Sequence, residues 1–313
     1  MRFSLSKYLF FILIVFCSLN NLYAQGTGDP GIGIIDFRTR ENYFDINEAS
    51  LGFLYSLSSD EMRPFTFASK HSSSLMFGYT KSLNERLIVD SKFLISYITG
   101  PLANNLNFSD IITSVNYKIF RSENERFNLM ITSGIKVPLT QAMDQAGAIP
   151  LPMTYQTSLG TFDLFSALGI SYRGGEMIIG AQTPVLSINR NQFLGYGPPL
   201  EKYLPSFHLK RGSDLFSRFS WRFYLFKDSF WIMPLGQLFI RINPDKYKNP
   251  FINEYIQNDL SQFFPTIQLN ISMGVNLNDR FSISLHGGVS DDDSRMDGLN
   301  RPIFGRLIAS LKL

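Results

Sequence analysis

Apolar and polar residues alternate one by one along much of this chain, and the stretch 266–277 shows the pattern best. Ile267 begins a series of apolar residues at every second position up to Leu277, and Thr266 and Gln268 begin the polar positions between them. Successive side chains of a β-strand point to opposite faces. The pattern therefore predicts a strand with one apolar and one polar face.

Twelve segments of the chain carry this two-residue period, and short gaps alternate with long gaps between them. They are 49–58, 72–82, 86–98, 108–121, 126–137, 159–173, 176–189, 212–226, 229–242, 264–277, 280–290 and 303–313. Most are longer than the ~5–6 residues of an ordinary soluble strand and reach the ~9–11 that a bilayer requires.

Strands of this length, joined alternately by tight turns and long loops, are typical of outer-membrane barrels. We predict an all-β fold, a transmembrane antiparallel up-and-down β-barrel of about 12 strands over residues 48–313, with 10 and 14 strands as alternatives. A secreted β-sandwich also alternates, but its strands are shorter. The tight turns are expected on the periplasmic side and the long loops outside the cell.

The tight turns share a composition. Asn84–Leu87, Asn124–Phe127 and Asn278–Phe281 are near copies, and Gly174–Gly175 forms another turn. Asn and Gly tolerate the positive φ angles of two-residue hairpin turns, so these residues are expected to supply them.

The first 24 residues have a basic start with Arg2 and Lys7, an apolar core from Tyr8 to Leu19, and a small-residue end at Ala24. This organisation predicts a cleaved signal peptide and export to the outer membrane of a Gram-negative bacterium. Residues 25–47 are assigned to an N-terminal periplasmic or lumenal segment.

Composition excludes several functions. Without the predicted signal the chain has 27 basic and 26 acidic residues, which gives no surplus for nucleic acid. Cys17 is the only cysteine and lies in the signal, so the mature chain has no thiolate ligand or nucleophile. With three histidines as well, no metal site and no cofactor is predicted.

Charged residues recur on the predicted polar faces. The alternation directs nine cations, four aspartates and one histidine towards the lumen. Eight of them are predicted to line the channel: Lys92, Lys118, Lys136, Asp163, Arg218, Arg222, Arg241 and His286. One interpretation is a pore that favours anions, because rings of charge set selectivity. The alternative is an interior filled with salt bridges.

Two other features interrupt the regular pattern. Pro184 and Pro234 lie inside strands, where proline cannot donate to the ladder; each marks either a kink that opens the wall or a tolerated bulge. The long loop after the fifth segment is apolar, with Met143, Ile149, Leu151, Met153 and Tyr155. It either folds into the mouth as a constriction or packs against neighbouring loops.

A resemblance to a known family covers about thirty residues. Ser133–Pro138, then Leu151-Pro152, Gln156 and Leu159–Asp163, resemble the outer-membrane transporters of the phenol-degradation meta pathway, which are similar in style to long-chain fatty-acid and toluene channels. The resemblance implies passive uptake of small hydrophobic or aromatic compounds, and it carries over no catalytic residues.

These observations together predict a monomeric passive channel that contacts outer-membrane lipid, takes an unknown small-molecule substrate and depends on the barrel-assembly machinery for insertion. One alternative is a barrel enzyme that acts on lipid, since His71-Ser72-Ser73 has the H-x-S spacing of outer-membrane phospholipase A. Another is a structural or secretion-associated barrel without a conduit.

Overall fold

The strands close into a single barrel in the computed structural model, which describes residues 46–59, 69–122, 127–197, 200, 203, 205–226, 229–257, 265–290 and 303–313. The predicted signal peptide and nearly all of the segment 25–47 lie outside these ranges. Within them the twelve barrel strands are β1 Asn47–Ser59, β2 Ser69–Asn84, β3 Leu87–Thr99, β4 Asn104–Arg121, β5 Phe127–Pro138, β6 Thr161–Tyr172, β7 Gly175–Ser187, β8 Asp214–Trp221, β9 Phe230–Arg241, β10 Thr266–Asn276, β11 Phe281–Ser290 and β12 Ile303–Lys312. The predicted twelve-stranded antiparallel barrel is confirmed.

Every barrel strand pairs with its neighbours along the chain, and β12 returns to pair with β1 at Leu51↔Ala309. A three-residue piece, Phe223–Leu225, continues β8 along β9 after a break at Arg222. The sheet is thus closed on itself, which lets the backbone groups of the strands bond to each other in a medium that offers no hydrogen bonds.

The two faces of the barrel wall differ as the alternation predicts. On the outside, Leu269 is 61% exposed and Phe219 57% exposed, whereas the inward Asp90 and Lys92 are each 3% exposed. Apolar side chains outside and charged side chains inside reverse the arrangement of a water-soluble protein, and they suit a wall with lipid on one side. The described residues include no helix that is long and apolar enough to cross a membrane.

Two asparagines of the tight turns do not have the positive φ angles that were expected. Positive φ falls on Arg173 (48°) in the turn between β6 and β7, and neither Asn84 nor Asn278 adopts it. Each asparagine instead accepts a hydrogen bond through Oδ1 from a backbone N–H two residues later, at 2.8 Å from Arg86 and 2.9 Å from Arg280. These two asparagines therefore act through side-chain-to-backbone bonds, and the prediction of positive φ angles for them is wrong, whereas Asn124 lies outside the described residues.

Aromatic rings cover glycines of neighbouring strands on the inner wall. A Cβ added at Gly134 would collide with the ring of Phe165, and one added at Gly180 would collide with the ring of Phe216. Each glycine thus leaves room for a ring that a side chain at that position would displace.

We expect Gly180→Ala to lower the free energy of unfolding by about 1–3 kcal/mol. The added methyl would lie 2.5 Å from the Ser166 carbonyl oxygen, in addition to its collision with Phe216. Gly236→Ala is the matched control, because its Cβ would lie 4.0 Å from the nearest heavy atom, on Leu269. Urea unfolding in detergent micelles checks both variants, and equal midpoints would contradict the packing described.

Candidate functional site: the lumen and its mouth

All eight residues predicted to line the lumen lie on the inner wall, but most of them are buried. Lys92, Lys118, Lys136, Asp163 and Arg241 are between 0% and 6% exposed. Arg218, Arg222 and His286 are half-buried. The inward direction was thus predicted from the alternation, whereas the contacts of each residue depend on which strands meet.

Three of these residues belong to a buried chain of alternating charges near the ends of β5, β6, β8 and β9 that carry the long loops. Lys136 Nζ contacts Asp163 Oδ2 at 2.9 Å, and Arg241 Nε contacts Asp214 Oδ1 at 2.7 Å. Arg211 joins the two pairs, with 2.9 Å to Asp163 and 2.7 Å to Asp214.

The chain of charges ends at Asp245, which pairs with Arg241 and accepts a hydrogen bond from the backbone N–H of Gly212 at 2.6 Å. We call Lys136, Asp163, Arg211, Asp214, Arg241 and Asp245 the ion network. Its three cations and three anions balance, so it presents no net charge to a permeating ion. The salt-bridged interior thus describes these residues better than a pore lined by free charge.

Sequence reasoning missed Arg211 and Asp245 as members of this network. Both lie in loops just outside the strands, at positions that the alternation does not reach. The available signal was weak: each is a charged residue within four positions of a strand end.

Two further inward cations have carboxylate partners. Lys92 contacts Asp90 at 3.2 Å, and Arg218 contacts Glu176 at 3.1 Å. Arg222 lies differently, since its guanidinium is 4.7 Å from the centre of the Trp231 ring. The expected cationic patch of Arg218 and Arg222 is therefore half neutralised.

Apolar side chains form a continuous band inside the barrel. The band runs along the inner faces of β3 to β9, together with the residue before β1, and consists of Ile46, Ile88, Ile112, Met130, Phe165, Ala167, Ile178, Phe216 and Phe239. All of its members are at most 8% exposed, so this half of the lumen is packed.

The opposite half of the wall is more open. Its inward residues include the half-buried Gln268, Asn270, Ser284, His286 and Arg306 of β10 to β12, although Thr266, Ser272 and Ile308 of the same strands are at most 8% exposed. His286 is bonded on both ring nitrogens, with Nδ1 at 2.8 Å from Ser272 Oγ and Nε2 at 3.0 Å from Ser284 Oγ. The lumen is consequently asymmetric, with an apolar packed side and a polar accessible side.

The apolar loop 139–160 packs in part against its neighbours. Leu151, Met153 and Tyr155 are at most 2% exposed and pack with neighbouring loops, whereas Met143 and Ile149 are 48% and 52% exposed. The loop contains a short hairpin, with strands Gln145–Ala146 and Ile149–Pro150, and a 3₁₀ turn at Met153–Tyr155.

The second half of this loop also bonds to the inner wall. Lys70 Nζ donates to the Thr154 carbonyl at 2.8 Å, and Asn105 Nδ2 donates to the Tyr155 carbonyl at 3.0 Å. Ser158 Oγ donates to Asp110 Oδ1 at 2.6 Å. Because Lys70, Asn105 and Asp110 are inward-facing residues of β2 and β4, the loop covers part of the barrel mouth at the long-loop end.

Both prolines coincide with irregular pairing. Leu186 faces Phe162 and Pro184 faces Asp163, so Val185 is the extra residue of a bulge. The β8–β9 ladder stops at Ser220↔Leu235 and resumes at Phe223↔Ile232, and the gap faces Pro234. Whether either irregularity opens the wall stays a prediction.

His71 lies on the outer face of β2, where its Nδ1 is 2.6 Å from the Tyr55 hydroxyl. Ser73 shares that face two residues further on. The two candidate residues for an enzyme that acts on lipid, His71 and Ser73, thus both face outwards, and the histidine is bonded to Tyr55.

A closed barrel with an apolar outer belt and a charged inner wall has the architecture of outer-membrane channels and porins. No protein-family model and no curated protein sequence matches the chain. An outer-membrane channel from Pseudomonas putida F1 superposes with a TM-score of 0.59 at 9% identity, over 88% of this chain and 99% of that chain.

Two other solved structures match less well. They are the NanC porin, with a TM-score of 0.45 at 7% identity over 85% of this chain and 98% of that chain, and a Pseudomonas aeruginosa FadL homologue, with a TM-score of 0.40 at 11% identity over 92% and 98%. The likeness to the Pseudomonas putida channel shows that this chain has the fold of an outer-membrane β-barrel channel.

Proposed function

We propose that this protein is a passive channel for small hydrophobic or aromatic compounds in the outer membrane of a Gram-negative bacterium. It would be exported through a cleaved signal peptide, inserted by the barrel-assembly machinery and active as a monomer. The resemblance of Ser133–Pro138 and Leu159–Asp163 to meta-pathway transporters supports this substrate class. In this fold Lys136 and Asp163 of that motif form an ion pair, so the motif contributes to the barrel wall itself.

The apolar band inside the lumen is the observation that carries the proposal. The interior of an outer-membrane barrel is normally polar, yet here the rings of Phe165, Phe216 and Phe239 lie on the inner wall. An apolar compound that passes along the accessible half of the lumen would contact these rings or displace them. Ions would gain nothing from such a surface, because they lose hydration without a polar replacement.

The extracellular side offers a matching surface. Phe251 is 76% exposed, Ile252 57% and Tyr196 61%, and the rings of Tyr196 and Phe251 lie 6.2 Å apart. Clustered exposed apolar residues on loops often mark a binding surface. These side chains would collect apolar compounds before they reach the mouth.

Release into the membrane is a further part of the proposal. The irregular pairing at Pro184 and Pro234 would let the wall part sideways, so that an apolar compound leaves into lipid. The gap opposite Pro234 lies where β8 is already interrupted, which makes it the weaker of the two positions.

We expect Gln268→Trp to reduce uptake of toluene at least several-fold in a porin-deficient host, because the new ring would fill the accessible half of the lumen. Leu269→Trp is the matched control: it is the adjacent residue of β10, 61% exposed on the lipid face, where Trp is tolerated. Uptake of labelled toluene by intact cells is the measurement.

Cells that take up toluene equally with and without the protein would contradict a transport function. That result would favour a structural barrel without a conduit, an alternative supported by the dense packing of the apolar band. Equal uptake by the two variants, at a level above that of cells without the protein, would instead show that toluene does not pass Gln268.

A further inference from the structure

Four inward side chains form a compact patch on the accessible side of the lumen. Arg222 follows β8, Trp231 lies in β9, His286 in β11 and Arg306 in β12. We call these four residues the arginine–tryptophan patch. It combines two cations with the rings of a tryptophan and a histidine.

Trp231 and Arg222 are held together by the shape of the wall. A Cβ added at Gly274 would lie 2.5 Å from the Trp231 ring, so the ring can lie against β10 only because residue 274 is glycine. The Arg222 guanidinium lies 4.7 Å from the centre of that ring, in the range of a cation–π contact. The stack fixes a guanidinium at the lumen surface.

The bonding of Arg222 is incomplete. Its Nη1 donates to the Tyr224 hydroxyl at 3.4 Å, near the limit for a hydrogen bond, and its Nε is buried without an acceptor. Among the residues that the structure describes, no carboxylate forms an ion pair with Arg222. A carboxylate is the acceptor whose planar geometry matches the terminal nitrogens of a guanidinium.

Arg306 brings a second guanidinium to the same region. It stands directly opposite His286 in the β11–β12 ladder, a position that puts the two Cβ atoms ~4.5–5.5 Å apart. The His286 ring is 6.4 Å from Trp231 and is oriented by Ser272 and Ser284. Cationic groups and flat aromatic surfaces thus occur side by side.

We propose that the arginine–tryptophan patch binds planar aromatic carboxylates on their way through the lumen. The carboxylate would bond to Arg222, and the ring would stack beside Trp231 and His286, where offset and edge-to-face contacts are favourable. This inference rests on the proposed channel function and adds to its substrates aromatic compounds that carry an anionic group.

Trp231 fluorescence tests the proposal directly, because the chain has two tryptophans and the other, Trp221, lies on the outer face. The full-length protein with Trp221→Phe is titrated in detergent micelles with benzoate, with the neutral isostere benzamide and with acetate. Benzoate is expected to change the emission saturably. Benzamide and acetate are expected to bind about tenfold more weakly, since each lacks either the charge or the ring.

Arg222→Gln should weaken benzoate binding about tenfold or more and leave benzamide unaffected. Arg280→Gln, in an exposed turn, is the control and should change neither. Arg222→Lys should restore binding only in part, because an ammonium lacks the planar fork. If Arg222→Gln does not fold, as judged by its heat-modifiable gel mobility, Arg306→Gln replaces it with the same expectation for benzoate.

Equal affinities for benzoate and benzamide, or benzoate binding that is indifferent to the arginine substitution, would overturn this inference. Toluene uptake distinguishes that failure from a failure of the proposed function. Uptake that persists while benzoate binding fails overturns the site alone, whereas loss of both overturns the channel.

Discussion

Replacing Asp163 by asparagine is expected to lower the free energy of unfolding by about 3–5 kcal/mol. Asp163 is 0% exposed and contacts both Lys136 and Arg211 at 2.9 Å. Asparagine keeps the shape of the side chain but removes its charge, which leaves two buried cations with a neutral neighbour. The penalty is large because a cation that has lost its partner has no access to water.

Urea unfolding in detergent micelles, followed by tryptophan fluorescence, gives this free energy. Asp279→Asn is the control: Asp279 lies in an exposed turn, and its substitution should remain within about 0.5 kcal/mol of the parent. A loss at Asp163 no larger than this would show that the ion network does not stabilise the barrel.

A second substitution separates charge balance from packing. In Asp163→Asn the network carries one surplus cation, and Lys136→Gln removes one. The double variant should therefore lose less stability than the sum of the two single variants, which is the signature of residues in one network. Strict additivity would mean that Lys136 and Asp163 contribute independently.

A charge on the lipid face should be the second severe change. We expect Leu269→Arg to destabilise the inserted barrel by about 2–4 kcal/mol, the cost of arginine near the bilayer midplane. Leu269 is 61% exposed on the outer wall and pairs with Gly236 and Val289. In lipid this exposed position has no water to solvate a guanidinium.

Gln268→Arg is the matched variant, since it introduces the same side chain one residue earlier on the accessible inner face. We expect it to fold with nearly the parent yield. Folding into lipid vesicles, followed by heat-modifiable gel mobility, compares the two. Equal yields, or a poorer yield for Gln268→Arg, would reverse the assignment of faces in β10.

Asymmetry is the feature of the lumen with the clearest consequence for function. On one side, Phe165, Phe216 and their neighbours fill the interior with apolar atoms. On the other side, Gln268, His286 and Arg306 remain half-buried and polar. A solute that crosses this barrel therefore meets one apolar and one polar surface, an arrangement that suits compounds with both characters.

Strand positions were predictable because a two-residue period is a local property. The tenth segment was expected at 264–277 and forms Thr266–Asn276, and the first was expected at 49–58 and forms Asn47–Ser59. The eighth, expected as continuous over 212–226, is interrupted at Arg222. The interruption faces Pro234 in the neighbouring strand. The residues of the eighth segment alone do not show which residues the neighbouring strand places opposite them.

The partners of the inward charges were not predictable in the same way. Alternation directs Lys136 and Asp163 inwards, but their contact depends on the β5–β6 register, and Arg211 reaches them from a loop. The turn residues show the same limit. Asn84 was correctly placed at a turn, but it stabilises the turn by accepting a hydrogen bond from the Arg86 backbone N–H and does not adopt the expected positive φ.

The sequence by itself determined the approximate positions of the strands, the apolar and polar faces of their regular stretches and the class of fold, because one face of every strand must suit lipid and the other must not. Only the tertiary structure decided which half of the lumen is packed, which charges cancel and which guanidinium lies on Trp231. Those outcomes depend on side chains from strands and loops far apart in the chain, and closure of the barrel brings them together.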